Sequence, residues 1–129
     1  MKINNVEIHE IDLLDADVAE KYEDGLNNVQ NLVQEARNEA AEGKIKNSEF
    51  IRKACTAIND FIDSLWGEGI AYSVFNGRCN MMTSLKVFSE IIEWANDEKH
   101  HKAEIAEIDK IVNKYANRAE RRRKDKGKS

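Results

Sequence analysis

The sequence predicts a mainly α-helical fold, in which about four helices form a compact bundle. Proline is absent and only six of the 129 residues are glycine, and both residue types disfavour helix interiors. Apolar residues recur at steps of three and four along most of the chain, which is the period of an amphipathic helix. With 41% hydrophobic and 34% charged residues, the chain can form one modest core.

Residues 1–13 differ from the rest because their apolar positions alternate with polar ones. Ile3 precedes the pair Asn4-Asn5, and Val6 and Ile8 follow it. Asparagine tolerates positive φ, so this pair predicts a tight turn between two short strands. We therefore expect a β-hairpin or an extended arm, which must pack on the remainder of the chain to be stable.

The first helix is predicted over residues 15–42. Asp15 or Asp17 is expected to cap it, since a carboxylate can accept hydrogen bonds from the first free backbone N–H groups. Gly25 interrupts the pattern at a cost of about 1 kcal/mol relative to alanine, which allows a bend. The apolar stripe contains Val18, Tyr22, Leu26, Val29, Leu32, Val33, Ala36 and Ala40.

Three further helices are predicted over residues 48–66, 81–95 and 98–116. Ser48 is the expected cap of the first of these. The last two could form one helix with a bend at Asn96, and the pattern leaves that question open. Their apolar stripes include Ile51, Ala54, Cys55, Ile58, Ile62, Leu65 and Trp66, then Met82, Leu85, Phe88, Ile91, Ile92 and Ala95, then Ile105, Ile108, Ile111, Val112 and Tyr115.

Residues 67–80 are predicted to be the one long irregular segment between helices. Their apolar side chains are too numerous for a free loop, and loops that expose such residues often bind partners. An equally good alternative is that they complete a core that four helices cannot close. The candidate protein-binding residues are Ile70, Tyr72, Val74, Phe75 and Arg78.

Charge divides the chain into residues 1–117, expected to be one helical domain with a β arm over 1–13, and a disordered basic tail over 118–129. The tail carries seven Lys/Arg and two Asp/Glu, a balance of +5, which leaves −9 on the remainder. Such a tail can be solubilising, can bind an acidic protein surface or can contact phosphates. Nucleic acid is the weakest candidate, because the body is acidic and no aromatic residue is interleaved for stacking. The candidate tail contacts are Arg118, Arg121, Arg122, Arg123 and Lys124.

We predict no catalytic residue, metal ligand or cofactor, and therefore no enzyme. The chain has no phosphate-binding glycine motif and no Cys-x-x-Cys or His-x-x-x-His pair. Of its three histidines, His9 is remote in sequence, and His100 and His101 are adjacent, so on a helix they diverge by about 100°. Arg78 beside Cys79 could lower a thiol pKa, but no histidine lies close in sequence. Carboxylate pairs such as Glu35 and Glu39 fall on polar helix faces.

Three segments of the sequence resemble a family of small proteins from tailed phages and prophages of Gram-positive bacteria. The first is the opening MKINNVEIHEIDLLDADVAEKYEDGL, and the second is SLWGEGIAYSVFNGRCNMMTSLKVFSEIIEWA. The third is the ending KYANRAERRR. The family's turn-and-helix motif is matched by Phe75, Gly77, Arg78, Asn80, Leu85, Phe88 and Ile91, and its closing motif by Lys114, Tyr115, Asn117, Arg118, Ala119, Arg121 and Arg122.

In size and helical content, such proteins are similar to the tail assembly chaperones of long-tailed phages. The resemblance implies a non-enzymatic phage morphogenesis protein that binds the tape measure protein and helps assemble the tail tube. It implies no catalytic residues, and the chain has neither a signal peptide nor a membrane-length apolar segment. We therefore expect it in the host cytoplasm, with a homo-oligomer left open. The alternative is a small phage regulatory or counter-defence protein that binds a host protein.

Overall fold

The computed structural model describes residues 1–97 and 106–115. The strands and helices of residues 1–97 are β1 (Lys2–Ile3), β2 (Val6–Glu7), α1 (Ala16–Ala41), α2 (Asn47–Trp66), α3 (Ile70–Phe75) and α4 (Met81–Ala95). Residues 106–115 are also helical and are called α5. The prediction of a mainly helical fold with an N-terminal hairpin is confirmed.

The chain divides into two compact units, Met1–Ile92 and Glu93–Ser129. The single domain over 1–117 stays a prediction, and the basic tail over 118–129 lies outside the described residues.

The N-terminal hairpin pairs Lys2 with Glu7 and Ile3 with Val6 in antiparallel register. Its turn residues Asn4 and Asn5 have φ values of 53° and 62°, the left-handed pair that matches the twist of a two-residue hairpin. Ile3 is almost fully buried. The Asn4 side-chain amide also donates to the Val74 carbonyl at 2.9 Å. These contacts support a hairpin that would be marginal alone.

Helix α2 supplies more of the core than any other element of the Met1–Ile92 unit. It buries eight side chains, whereas the longer α1 buries only Val29 and Ala36. The Phe61 ring of α2 lies between two others, with centroids 6.0 Å from Tyr22 of α1 and 5.4 Å from Phe88 of α4. This aromatic cluster joins three helices.

Gly25 allows α1 to approach that cluster closely. A Cβ atom added there would lie 2.8 Å from Cε2 of Phe61 and closer still to Cδ2. Helix α1 runs through this position from Ala16 to Ala41. The glycine therefore removes a side chain that would collide with the core, and its helix-propensity cost is offset by packing.

Asp15 is the cap of α1, because its side chain accepts from the backbone N–H groups of Asp17 and Val18. The prediction that Ser48 caps α2 is wrong. The helix begins at Asn47, its N-cap is Lys46, and no side chain caps it. A basic side chain has no acceptor for the first N–H groups, so these have no side-chain partner.

Residues 67–80 are not irregular throughout, since α3 occupies Ile70–Phe75. Gly69 precedes it with φ 91° and Asn76 ends it with φ 52°. These left-handed residues confine the segment to a single short helix, and glycine and asparagine adopt that conformation at the lowest cost.

The buried face of α4 is rotated relative to the prediction. Met82, expected in the core, is 75% exposed, whereas Ser84 and Val87 are buried. The helix ends at Ala95, and Asn96-Asp97 lie outside it. Helices α4 and α5 are therefore not one continuous helix. All ten residues of α5 are exposed.

Candidate protein-binding surfaces

The α3 segment contributes two of its predicted binding residues to the core. Val74 and Phe75 are buried, which agrees with the alternative that this segment completes the core. Ile70 is half-buried, while Tyr72 is 71% exposed and Arg78 is exposed. Only the last two remain fully available to a partner.

Tyr72 is held in place although it is exposed. A Cβ atom on Gly77 would lie 2.7 Å from Cε2 of the Tyr72 ring, and Gly77 itself has φ +69°. The ring therefore rests on the backbone of the turn that follows α3. Asp63 of α2 anchors the other end of this helix, because its carboxylate accepts from the Ala71 N–H at 2.9 Å. A fixed aromatic ring loses little entropy on binding.

A second surface, absent from the sequence predictions, follows the α1–α2 helix pair. Two open hollows of about 590 Å³ and 410 Å³ lie along these helices and share Ala57 and Asp60. We call them together the α1–α2 groove. Its α1 lining runs from Lys21 to Glu39, a length of about 27 Å at 1.5 Å per residue.

The larger hollow is lined mainly by polar residues. Its lining includes two carboxylates, Asp24 and Asp60, and one ammonium group, Lys21. Asparagines supply further donors and acceptors, and the only large apolar residue of its lining is Phe61, beneath Gly25. The lining asparagines are Asn27, Asn28 and Asn31.

The smaller hollow is more apolar at its floor. Ala36 and Ala57 are buried there, and Leu32 is 40% exposed. The rim is charged, with an ion pair between Lys53 Nζ of α2 and Glu39 Oε2 of α1 at 3.3 Å. An exposed leucine above two alanines offers a recess for an apolar side chain of a partner.

Sequence reasoning missed this groove because it assigned Leu32 to the core stripe of α1. The groove is lined by the small residues Gly25, Ala36 and Ala57, whose spacing in the sequence follows no helical period. Where side chains are this small, two helices approach closely and leave a shallow trough along their line of contact.

The two cysteines are free thiols, one buried and one exposed. The Ser84 hydroxyl donates to Cys55 Sγ at 3.5 Å, and the Cys79 thiol donates to the Ile51 carbonyl at 3.8 Å. Partial burial and the neighbouring Cys55 thiol raise the pKa of Cys79 to about 11, against a smaller lowering by Arg52. Cys79 is therefore largely protonated at neutral pH, although its side chain is exposed.

In residues 1–97 and 106–115, no three side chains of His, Cys, Asp or Glu are grouped to hold a metal ion. His100 and His101 lie outside these residues, as do the tail candidates Arg118, Arg121, Arg122, Arg123 and Lys124. Within the same part of the chain, no helix is long and apolar enough to cross a membrane.

A family model matches residues 4–125, which is nearly the whole chain. The chain belongs to DUF6673, a family of unknown function. Comparisons with curated proteins and with solved structures gave no match. The match includes the hairpin turn, every described helix and most of the basic tail.

Proposed function

We propose that this DUF6673 protein is a phage tail assembly chaperone, a non-enzymatic protein that binds helical segments of the tape measure protein and assists assembly of the tail tube. The observation that carries the proposal is the α1–α2 groove. It is an open trough about 27 Å long with an exposed leucine in its apolar half. Grooves of this kind accept an amphipathic helix through its apolar face.

The two halves of the groove specify the chemistry of the helix. The apolar half, at Leu32, favours an aliphatic side chain. The polar half, with Asp24 and Asp60, favours a lysine or arginine. The two hollows are centred about two to three helical turns apart along α1. The preferred segment therefore has an aliphatic anchor and a basic residue at that separation.

The charge of the molecule suits a chaperone for apolar helices. Residues 1–117 carry a balance of −9, which keeps a complex with an apolar segment soluble and resists further association. The groove is lined by four carboxylates and three cations, and this small acidic excess favours basic segments over acidic ones.

A co-expression experiment tests the proposal. The tagged protein is produced together with the tape measure protein of the same phage, and the soluble and captured fractions are measured. We expect the tape measure protein to stay soluble and to be captured. Leu32→Asp should reduce its capture at least about tenfold, because it replaces the apolar contact for the partner's aliphatic side chain with a charge that this side chain would have to desolvate.

Leu14→Asp is the matched control, since Leu14 is an exposed leucine at 57% that does not line the groove. It should leave capture unchanged. Arg78→Glu tests the α3 surface separately. Failure to capture tape measure or tube protein would overturn the chaperone function. Equal loss with Leu32→Asp and Leu14→Asp would overturn the groove as its site.

A further inference from the structure

Helix α5 carries an apolar stripe that is exposed along its whole described length. The side chains of Ile108, Ile111, Val112 and Tyr115 are 44%, 52%, 57% and 63% exposed. Their steps of three, one and three residues place them on one side of the helix. Most of the stability of a helix in a protein comes from the packing of its apolar side, so we expect this stripe to be covered by a partner.

The charged residues on either side of the apolar stripe indicate which kind of partner fits it. Glu107 and Lys114 are seven residues apart, so they project from nearly the same side of α5, along one flank of the stripe. Within the described part of the helix, the acidic residue lies near the start and the basic residue near the end. Asp109 lies on the opposite flank.

This arrangement is complementary to itself. When two copies of a helix pack antiparallel about a two-fold axis, the same flank of each faces the other, and the start of one lies beside the end of the other. Glu107 of one copy then lies opposite Lys114 of the second, and the pair occurs twice. In a parallel arrangement this flank would instead face the one that carries Asp109.

We propose that α5 is a dimerisation helix whose apolar stripe packs antiparallel against α5 of a second copy of this chain. Ile108, Ile111, Val112 and Tyr115 form the buried seam, and the two Glu107–Lys114 pairs beside Ile111 set the direction. The surface is separate from the α1–α2 groove, and the proposal does not rest on the chaperone function.

Sedimentation equilibrium of the full-length protein over a concentration series tests the dimer. We expect a dimer for the wild type and a monomer for Val112→Asp, which buries an unpaired carboxylate in the seam. Asn113→Asp is the matched control, because it adds the same charge on the exposed side of α5 and should leave the mass unchanged. A wild-type monomer at every concentration would overturn the proposal, and so would a Val112→Asp variant that remains a dimer.

Charge reversal tests the direction of packing. Glu107→Lys alone and Lys114→Glu alone each place like charges opposite one another twice, and each should weaken the dimer about three- to tenfold. The double variant Glu107→Lys/Lys114→Glu restores both pairs with exchanged polarity and should recover most of the wild-type affinity. If the double variant is as weak as the single ones combined, antiparallel packing is contradicted.

Discussion

Helices α2 and α5 are both amphipathic, yet they use their apolar residues in opposite ways. Helix α2 buries eight side chains in the core of the Met1–Ile92 unit. Helix α5 buries none of its ten described residues. The same periodicity therefore serves internal packing in one helix and leaves a surface for association in the other. A pattern of apolar residues predicts that one side of a helix is buried by packing, but it does not predict whether the same chain or another molecule packs on it.

Matched truncations of the two helices should give the largest contrast. Ile62 of α2 is fully buried, so Ile62→Ala should lower the free energy of unfolding by about 2–5 kcal/mol. Ile111→Ala in α5 should change it by less than about 0.5 kcal/mol. Urea denaturation at low protein concentration measures both without a contribution from association. Comparable losses of unfolding free energy in the two variants would show that α5 belongs to the folded core, and would contradict the difference between the two helices.

The close approach of α1 to α2 gives the next largest effect. In Gly25→Ala the new methyl group meets the Phe61 ring, and overpacking of this kind costs about 1–3 kcal/mol or more. The gain in helix propensity of about 1 kcal/mol opposes it. We expect a net loss of stability in thermal denaturation, whereas Gln30→Ala, at an exposed position of the same helix, should be near neutral. A stabilised Gly25→Ala variant would show that the ring can move aside.

Thiol reactivity provides the smallest and most local comparison. The pKa of Cys79 is raised to about 11, and a thiol is alkylated as its thiolate. Alkylation of Cys79 at pH 7 should therefore be about tenfold slower than in the unfolded chain, where the pKa is near 9, because the greater nucleophilicity of a thiolate of higher pKa offsets part of the loss of thiolate. In a Cys79→Ser background, Asn113→Cys on exposed α5 should react at the unfolded rate. Equal rates for the two thiols would contradict the protection of Cys79.

Local patterns predicted the fold well where one signal acted alone. The Asn4-Asn5 turn formed because asparagine tolerates the two positive φ values that the hairpin requires. The sequence predicted the buried residues less well where packing between helices determines which side of a helix is buried. Met82 is apolar and correctly spaced, but α4 buries the neighbouring Ser84 and Val87 instead.

The candidate surfaces were harder to predict than the fold. Tyr72 and Arg78 were identified from composition, whereas Val74 and Phe75 in the same segment are core residues. The α1–α2 groove depends on how closely two helices approach, which is set by Gly25, Ala36 and Ala57 together. Such a relation between distant positions has no periodic signature in one sequence.

Site-specific photo-crosslinking tests the central claim, that the α1–α2 groove holds a helix of the tape measure protein, most directly. A photoreactive amino acid replaces Thr56, an exposed residue that lines the groove, or Ser48, an exposed residue of the same helix that does not. During co-expression, the probe at position 56 should form a crosslink to the tape measure protein and the probe at position 48 should not. Crosslinks from position 48 alone, or from neither position while the two proteins are captured together, would contradict the account.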